Sequence, residues 1–191
     1  MKKVFIVHGF KSTPNNGWRS WLMSELSKEN IYCCALPMPN PLEPKKEEWV
    51  NLISQFCSNP GDEIYLVGHS LGVPAILRYL EAIDENKKIM GAVLVSGPIK
   101  KVSETEETHV VRVTDEFYQG GFDFEKIKSK SNKFVIIHGD DDPKVPVDNA
   151  ETLSKELAGK LVLIKNGKHL SGHEGFNKLP EVLIALKEMI K

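Results

Sequence analysis

The stretch Ile64-Tyr65-Leu66-Val67-Gly68-His69-Ser70-Leu71-Gly72 decides the fold of this chain, because an apolar strand runs into it and a helical pattern leaves it. Ile64 to Val67 read as a buried strand, and Ala75, Ile76, Leu77, Tyr79, Leu80 and Ile83 recur at helix spacing. Ser70 sits at the junction, where a tight strand-to-helix turn forces strained backbone angles and leaves no room for a β-carbon two positions to either side. Gly68 and Gly72 meet that requirement. The helix that follows aims unpaired N–H groups and the positive end of its dipole at the surroundings of the serine oxygen. Pro74 falls within the first helical turn, where its missing N–H is not needed. The pattern marks Ser70 as a candidate nucleophile.

Working outward, 191 residues are enough for one domain with a sizeable core, and residues 1–191 are expected to form it without a disulfide or metal. Lys plus Arg (25) nearly balance Asp plus Glu (26) with no basic run, which argues against a nucleic-acid partner. The three cysteines, Cys33, Cys34 and Cys57, do not look like a disulfide framework, so a reducing cytoplasm is the expected location. Val4 to Val7 after Met1-Lys2-Lys3 is shorter than the roughly 7–15 apolar residues of a secretory core. A first strand is expected there, and no segment reaches the roughly 18 apolar residues that would span a membrane.

Strand and helix patterns alternate along the chain. Strands are expected at Val4–Val7, Ile31–Leu36, Ile64–Val67, Ile89–Val95, Phe134–His138 and Leu161–Ile164. Helices are expected around Trp18 to Leu26, over Glu47–Cys57, after Ser70, over Asp148–Leu157 and over Leu179–Ile190. Such alternation predicts an α/β fold with about six mostly parallel strands, helices on both faces, and ligands at the carboxyl ends of the strands. Residues 97–132 lack a clear strand–helix unit and carry Phe117, Tyr118, Phe122 and Phe124. This insertion is expected to cover the site in part, its aromatics either touching substrate or anchoring the excursion to the core.

A serine hydroxyl needs a histidine to take its proton and a carboxylate to orient that histidine. After the fifth strand, His138-Gly139-Asp140-Asp141-Asp142-Pro143 presents three carboxylates, of which one can be the orienting acid. In this architecture the order runs serine, acid, histidine, so the base belongs to the loop after the last strand. His169, in Asn166-Gly167-Lys168-His169-Leu170, is the candidate base, with His173 as its rival. His8 and His138 precede glycines at strand ends and are expected to bond loop backbone. His69 is expected to point away from the serine, and His109 lies in the insertion. The candidate oxyanion donors are the N–H groups of Leu71, directly after the nucleophile, and Phe10, in the loop after the first strand. His169 and His173 have a ligand-like separation, but no third ligand is evident, so no metal or cofactor is expected.

Together these motifs resemble the α/β-hydrolases, and more narrowly the small serine-hydrolase family that holds the retinoblastoma-binding-protein hydrolases and the bacterial YdeN-like proteins. The resemblance spans essentially the whole chain: His8-Gly9-Phe10 with Trp18, the pentapeptide at Ser70, Asp115-Glu116-Phe117 with Gln119-Gly120 and Phe122-Asp123, the Asp142 turn, and His169 with Glu174-Gly175-Phe176 and Leu179-Pro180. It selects Asp142, because Gly139-x-x-Asp142-x-x-Val145-Pro146 matches a spacing of that superfamily. Asp140 and Asp141 are then expected to bond nearby backbone in the turn. The resemblance implies a minimal hydrolase fold and serine-dependent hydrolysis of an ester-like bond, and the limited room for a lid in so short a chain favours small acyl groups. Thioester or amide cleavage, or a protein-binding module retaining the fold, are the alternatives; no protein partner is indicated. One position departs from the family: Lys168 stands where it usually has glycine before the histidine. If that position requires positive φ, lysine would be strained or would displace the loop.

Overall fold

The computed structural model describes residues 1–100 and 113–191. Six parallel strands form one sheet in the order β2-β1-β3-β4-β5-β6. They are β1 (Lys2–Val7), β2 (Tyr32–Ala35), β3 (Glu63–His69), β4 (Gly91–Val95), β5 (Phe134–Gly139) and β6 (Lys160–Ile164). The helices are α1 (Arg19–Ser27), α2 (Lys46–Phe56), α3 (Gly72–Ala82), α4 (Phe124–Ser129), α5 (Asp148–Glu156) and α6 (Pro180–Ile190). The expected strands and helices are therefore present, with ends shifted by one or two residues.

Central strands buried on both faces need apolar residues at successive positions rather than in alternation. Val4 to Val7 of β1 and Ala92 to Val95 of β4 meet that need. Alternate residues then feed two cores. Phe5, Leu66, Leu94 and Ile136 pack with Trp49, Ile53, Ile76 and Leu153 from α2, α3 and α5. Val4, Ile6, Val67 and Val93 pack with Leu22, Leu26, Val182 and Leu186 from α1 and α6. Each fully buried side chain of this kind contributes about 1.5–3 kcal/mol.

The chain first builds leftward from β1 to β2, then crosses to β3 and continues rightward. Strand order therefore reverses between β1 and β3, and the crossovers leave a crevice at the carboxyl ends of those two strands. His8-Gly9-Phe10 leaves β1 and Ser70 leaves β3 at that point.

The described part of the insertion holds more regular structure than the sequence pattern suggested. A single 3₁₀ turn, Asp115–Phe117, and α4 lie within its described part. Phe117 is fully buried and meets Trp49 edge to face at 5.6 Å. Arg78 of α3 donates to the carbonyls of Phe117 at 2.9 Å and Gln119 at 2.8 Å, and its guanidinium lies 4.2 Å from the Phe122 ring centre. Phe117 and Phe122 thus anchor the excursion to α2 and α3. His109 and the rest of 101–112 lie outside the described residues, so the expected cover is not described there.

Candidate active site

Ser70 has a φ of +54°, the left-handed region that a side chain adopts only under constraint. Its N–H donates to the Val95 carbonyl of β4 at 2.9 Å, and its own carbonyl accepts from Val73 at 2.9 Å to start α3. The glycines around it answer to close backbone approaches. A β-carbon at Gly68 would lie 3.0 Å from the backbone of Gly72, and one at Gly72 would overlap the Val7 carbonyl of β1. At Gly9 it would come within 2.9 Å of the Ser70 Cβ, so the backbone leading to Phe10 rests directly against the serine. Neither Phe10 nor Leu71 spends its N–H on a backbone acceptor among the described residues outside helices and strands. Leu71 directly follows Ser70, and Phe10 follows the Gly9 that packs against it.

In the turn after β5, the Asp142 side chain is fully buried. Its Oδ1 accepts from the N–H groups of Lys144 at 2.9 Å and Val145 at 3.0 Å. Its Oδ2 accepts from His169 Nδ1 at 2.8 Å. Burial alone would raise this carboxyl's pKa, but the His169 hydrogen bond and charge, with the two backbone donors, hold it below the ordinary carboxylate value. The other ring nitrogen of His169, Nε2, lies 3.0 Å from Ser70 Oγ. The chain Ser70–His169–Asp142 is thus continuous across 99 and 27 residues of sequence. His173 is exposed on a separate 3₁₀ turn, Gly172–Glu174. The structure brings His169 rather than His173 to the serine.

His8, His69 and His138 bond the backbone, as the sequence suggested for the first and last of them. His8 Nδ1 donates to the Gly9 carbonyl at 2.9 Å, and His138 Nε2 donates to that of Val145 at 2.9 Å. His69 has a role the sequence did not disclose. Its Nε2 donates to the His169 carbonyl at 3.0 Å, with the two rings 5.2 Å apart. Burial, then the neighbouring His169, push its pKa well below the usual imidazole value, so it is neutral and carries its proton on Nε2. Beside it, the Trp18 indole donates to the Leu170 carbonyl at 3.0 Å.

Asp140 and Asp141 correct the expectation that they bond their own turn. Asp140 Oδ1 accepts from the Asn166 N–H at 2.8 Å, and Asp141 Oδ1 accepts from that of Lys168 at 2.7 Å. Both partners are distant in sequence, so three successive carboxylates grip one loop. That loop is strained: Asn166, Lys168 and Leu170 have φ of +54°, +47° and +50°. Such residues cost about 1–3 kcal/mol each unless the surroundings enforce them. Position 168 therefore does take positive φ, and its lysine is accommodated with His169 in place. Two glycines make this possible, since a β-carbon at Gly139 would overlap the Lys168 carbonyl and one at Gly167 would lie 2.9 Å from the Gly139 Cα. The visible signal was the run of three acids; its meaning required the contact. Among the described residues no group of three or more His, Cys, Asp or Glu is arranged to hold a metal ion, and no helix is long and apolar enough to cross a membrane.

A parallel sheet that displays a serine on a strand-to-helix elbow at its switch point, facing a histidine loop after the last strand, defines the α/β-hydrolase class. Within it, the chain belongs to the serine hydrolase family, whose sequence profile, described as "Serine hydrolase", matches residues 4–188. It is 36% identical to YdeN of Bacillus subtilis (strain 168) over 181 residues, 95% of this chain and 92% of that protein. The crystal structure of the B. subtilis ydeN gene product superposes with a TM-score of 0.91 at 34% identity, covering 100% of this chain and 99% of that one. Est1E from Butyrivibrio proteoclasticus shares the fold, with a TM-score of 0.73 at 18% identity over 99% of this chain and 86% of its own.

Proposed function

We propose that the protein hydrolyses small carboxylic esters through an acyl-enzyme, with Ser70 as nucleophile, His169 as general base and Asp142 as orienting acid. The observation that carries this reading is the hydrogen-bonded chain from Ser70 Oγ through both nitrogens of His169 to Asp142 Oδ2. As Ser70 Oγ attacks the carbonyl carbon, its proton passes to His169 Nε2, and the buried carboxylate stabilises the imidazolium that forms. The carbonyl oxygen gains the negative charge, and the N–H groups of Leu71 and Phe10 with the amino end of α3 supply preorganised donors for it. Collapse of the intermediate breaks the bond to the leaving alkoxide, which takes the proton from His169. Water then repeats the sequence in reverse, transferring the acyl group from Ser70 and releasing the acid.

The same machinery cleaves thioesters and amides, so purified protein is to be assayed on a panel of acyl esters, thioesters and aminoacyl amides, with fluorophosphonate labelling alongside. Turnover is expected to be greatest on short-chain esters, and labelling to disappear in Ser70→Ala. His169→Ala should collapse turnover while His173→Ala preserves it, and Asp142→Asn should lower kcat by about 10⁴-fold. Equal labelling of the unmodified protein and Ser70→Ala would instead favour a binding module that has kept the fold.

A further inference from the structure

Three residues of the histidine loop take left-handed backbone, and each is held differently. Asn166 adopts that conformation readily, because a short polar side chain tolerates it. Leu170 is anchored by a fully buried side chain, and its carbonyl accepts from the Trp18 indole. Lys168 has neither advantage: its side chain is exposed and its φ is +47°. It directly precedes His169, so any relaxation of its backbone swings the imidazole. The contact that opposes relaxation is the 2.7 Å hydrogen bond from the Lys168 N–H to Asp141 Oδ1, a donor paired with a charged acceptor.

We propose that Asp141 is a positioning residue of the active site, holding Lys168 in its left-handed conformation and so setting the His169 imidazole on Ser70. The inference rests on His169 being the base. A glycine at 168 would take positive φ without penalty and would need no such restraint.

A double-mutant cycle between Asp141→Ala and Lys168→Gly tests this, read as the maximal rate of Ser70 labelling by a fluorophosphonate, with probe affinity and thermal midpoint measured in parallel. Asp141→Ala is expected to slow labelling about tenfold at unchanged probe affinity, and the loss should shrink to less than about twofold in the Lys168→Gly background. Asp141→Asn keeps an acceptor oxygen and should stay within about threefold of the unmodified rate. Asp141 is exposed, so these variants are expected to fold. Equal losses in both backgrounds, or a change in thermal midpoint alone, would overturn the proposal. Ser70→Ala and His169→Ala serve as references: if either still labels at the unmodified rate, the hydrolase reading fails and this one with it. If both are silent and the cycle is additive, the positioning role alone falls.

Discussion

Asp142 shows how a single residue's environment decides its chemistry. Burial opposes its charge, yet a histidine donor and two backbone donors outweigh that penalty and depress its pKa. A carboxyl whose folded pKa lies below its unfolded value, about 3.9, stabilises the fold fully above that value and loses the contribution as pH falls through the folded pKa. The thermal midpoint of the native protein should therefore exceed that of Asp142→Asn at pH 5, and the gap should narrow below about pH 4. A gap that widens on acidification would contradict the assigned hydrogen bonds. Asp142 was legible only through resemblance, because the Gly139-x-x-Asp142-x-x-Val145-Pro146 spacing is similar to one found in α/β-hydrolases. The work of Asp140 and Asp141 was not legible, since their partners lie in another loop and local spacing carries no record of them.

Among the elements, the elbow helix and the first strand are locked by proximity. Gly72 at the start of α3 faces the Val7 carbonyl at the end of β1 so closely that a β-carbon would overlap it. Backbone cannot yield as a flexible side chain can, so Gly72→Ala should cost about 3 kcal/mol or more, measured as a shift in the urea midpoint. A loss below about 0.5 kcal/mol, typical of an unconstrained surface substitution, would show that α3 can slide away from β1 at little cost. The sequence marked Gly72 correctly but for an incomplete reason. A tight turn predicts glycines around Ser70, whereas the contact with Val7 depends on β1 and β3 being neighbours in the sheet.

For the whole molecule, two cores on opposite faces of one sheet partly bury cysteines that would otherwise react, Cys33 against one and Cys57 against the other. Burial pushes the thiols of Cys33 and Cys57 up to about 12. Thiolate is the reactive form, so alkylation of these two cysteines at pH 8 should be about a thousandfold slower in the native protein than in urea. Peptide mapping after timed iodoacetamide treatment checks it; rapid modification without unfolding would mean that the α2 side of the sheet and the β2 edge open independently of the rest. The alternation of strands and helices was readable because apolar runs and helical periodicity are local. Strand order and the depth of burial around each thiol emerge only when distant segments pack.

The sequence by itself determined the class of fold and the serine at its elbow, because turn sterics and hydrophobic periodicity act over a few neighbouring residues. Only the tertiary structure decided how His169 is held. The neutral His69 that donates to its carbonyl, the Trp18 indole beside it, and the Asp141 carboxylate that restrains Lys168 come from three separate parts of the chain. Hydrogen bonds act over about 3 Å, and which groups come that close is settled by the packing of strands and helices, not by their separation along the polypeptide.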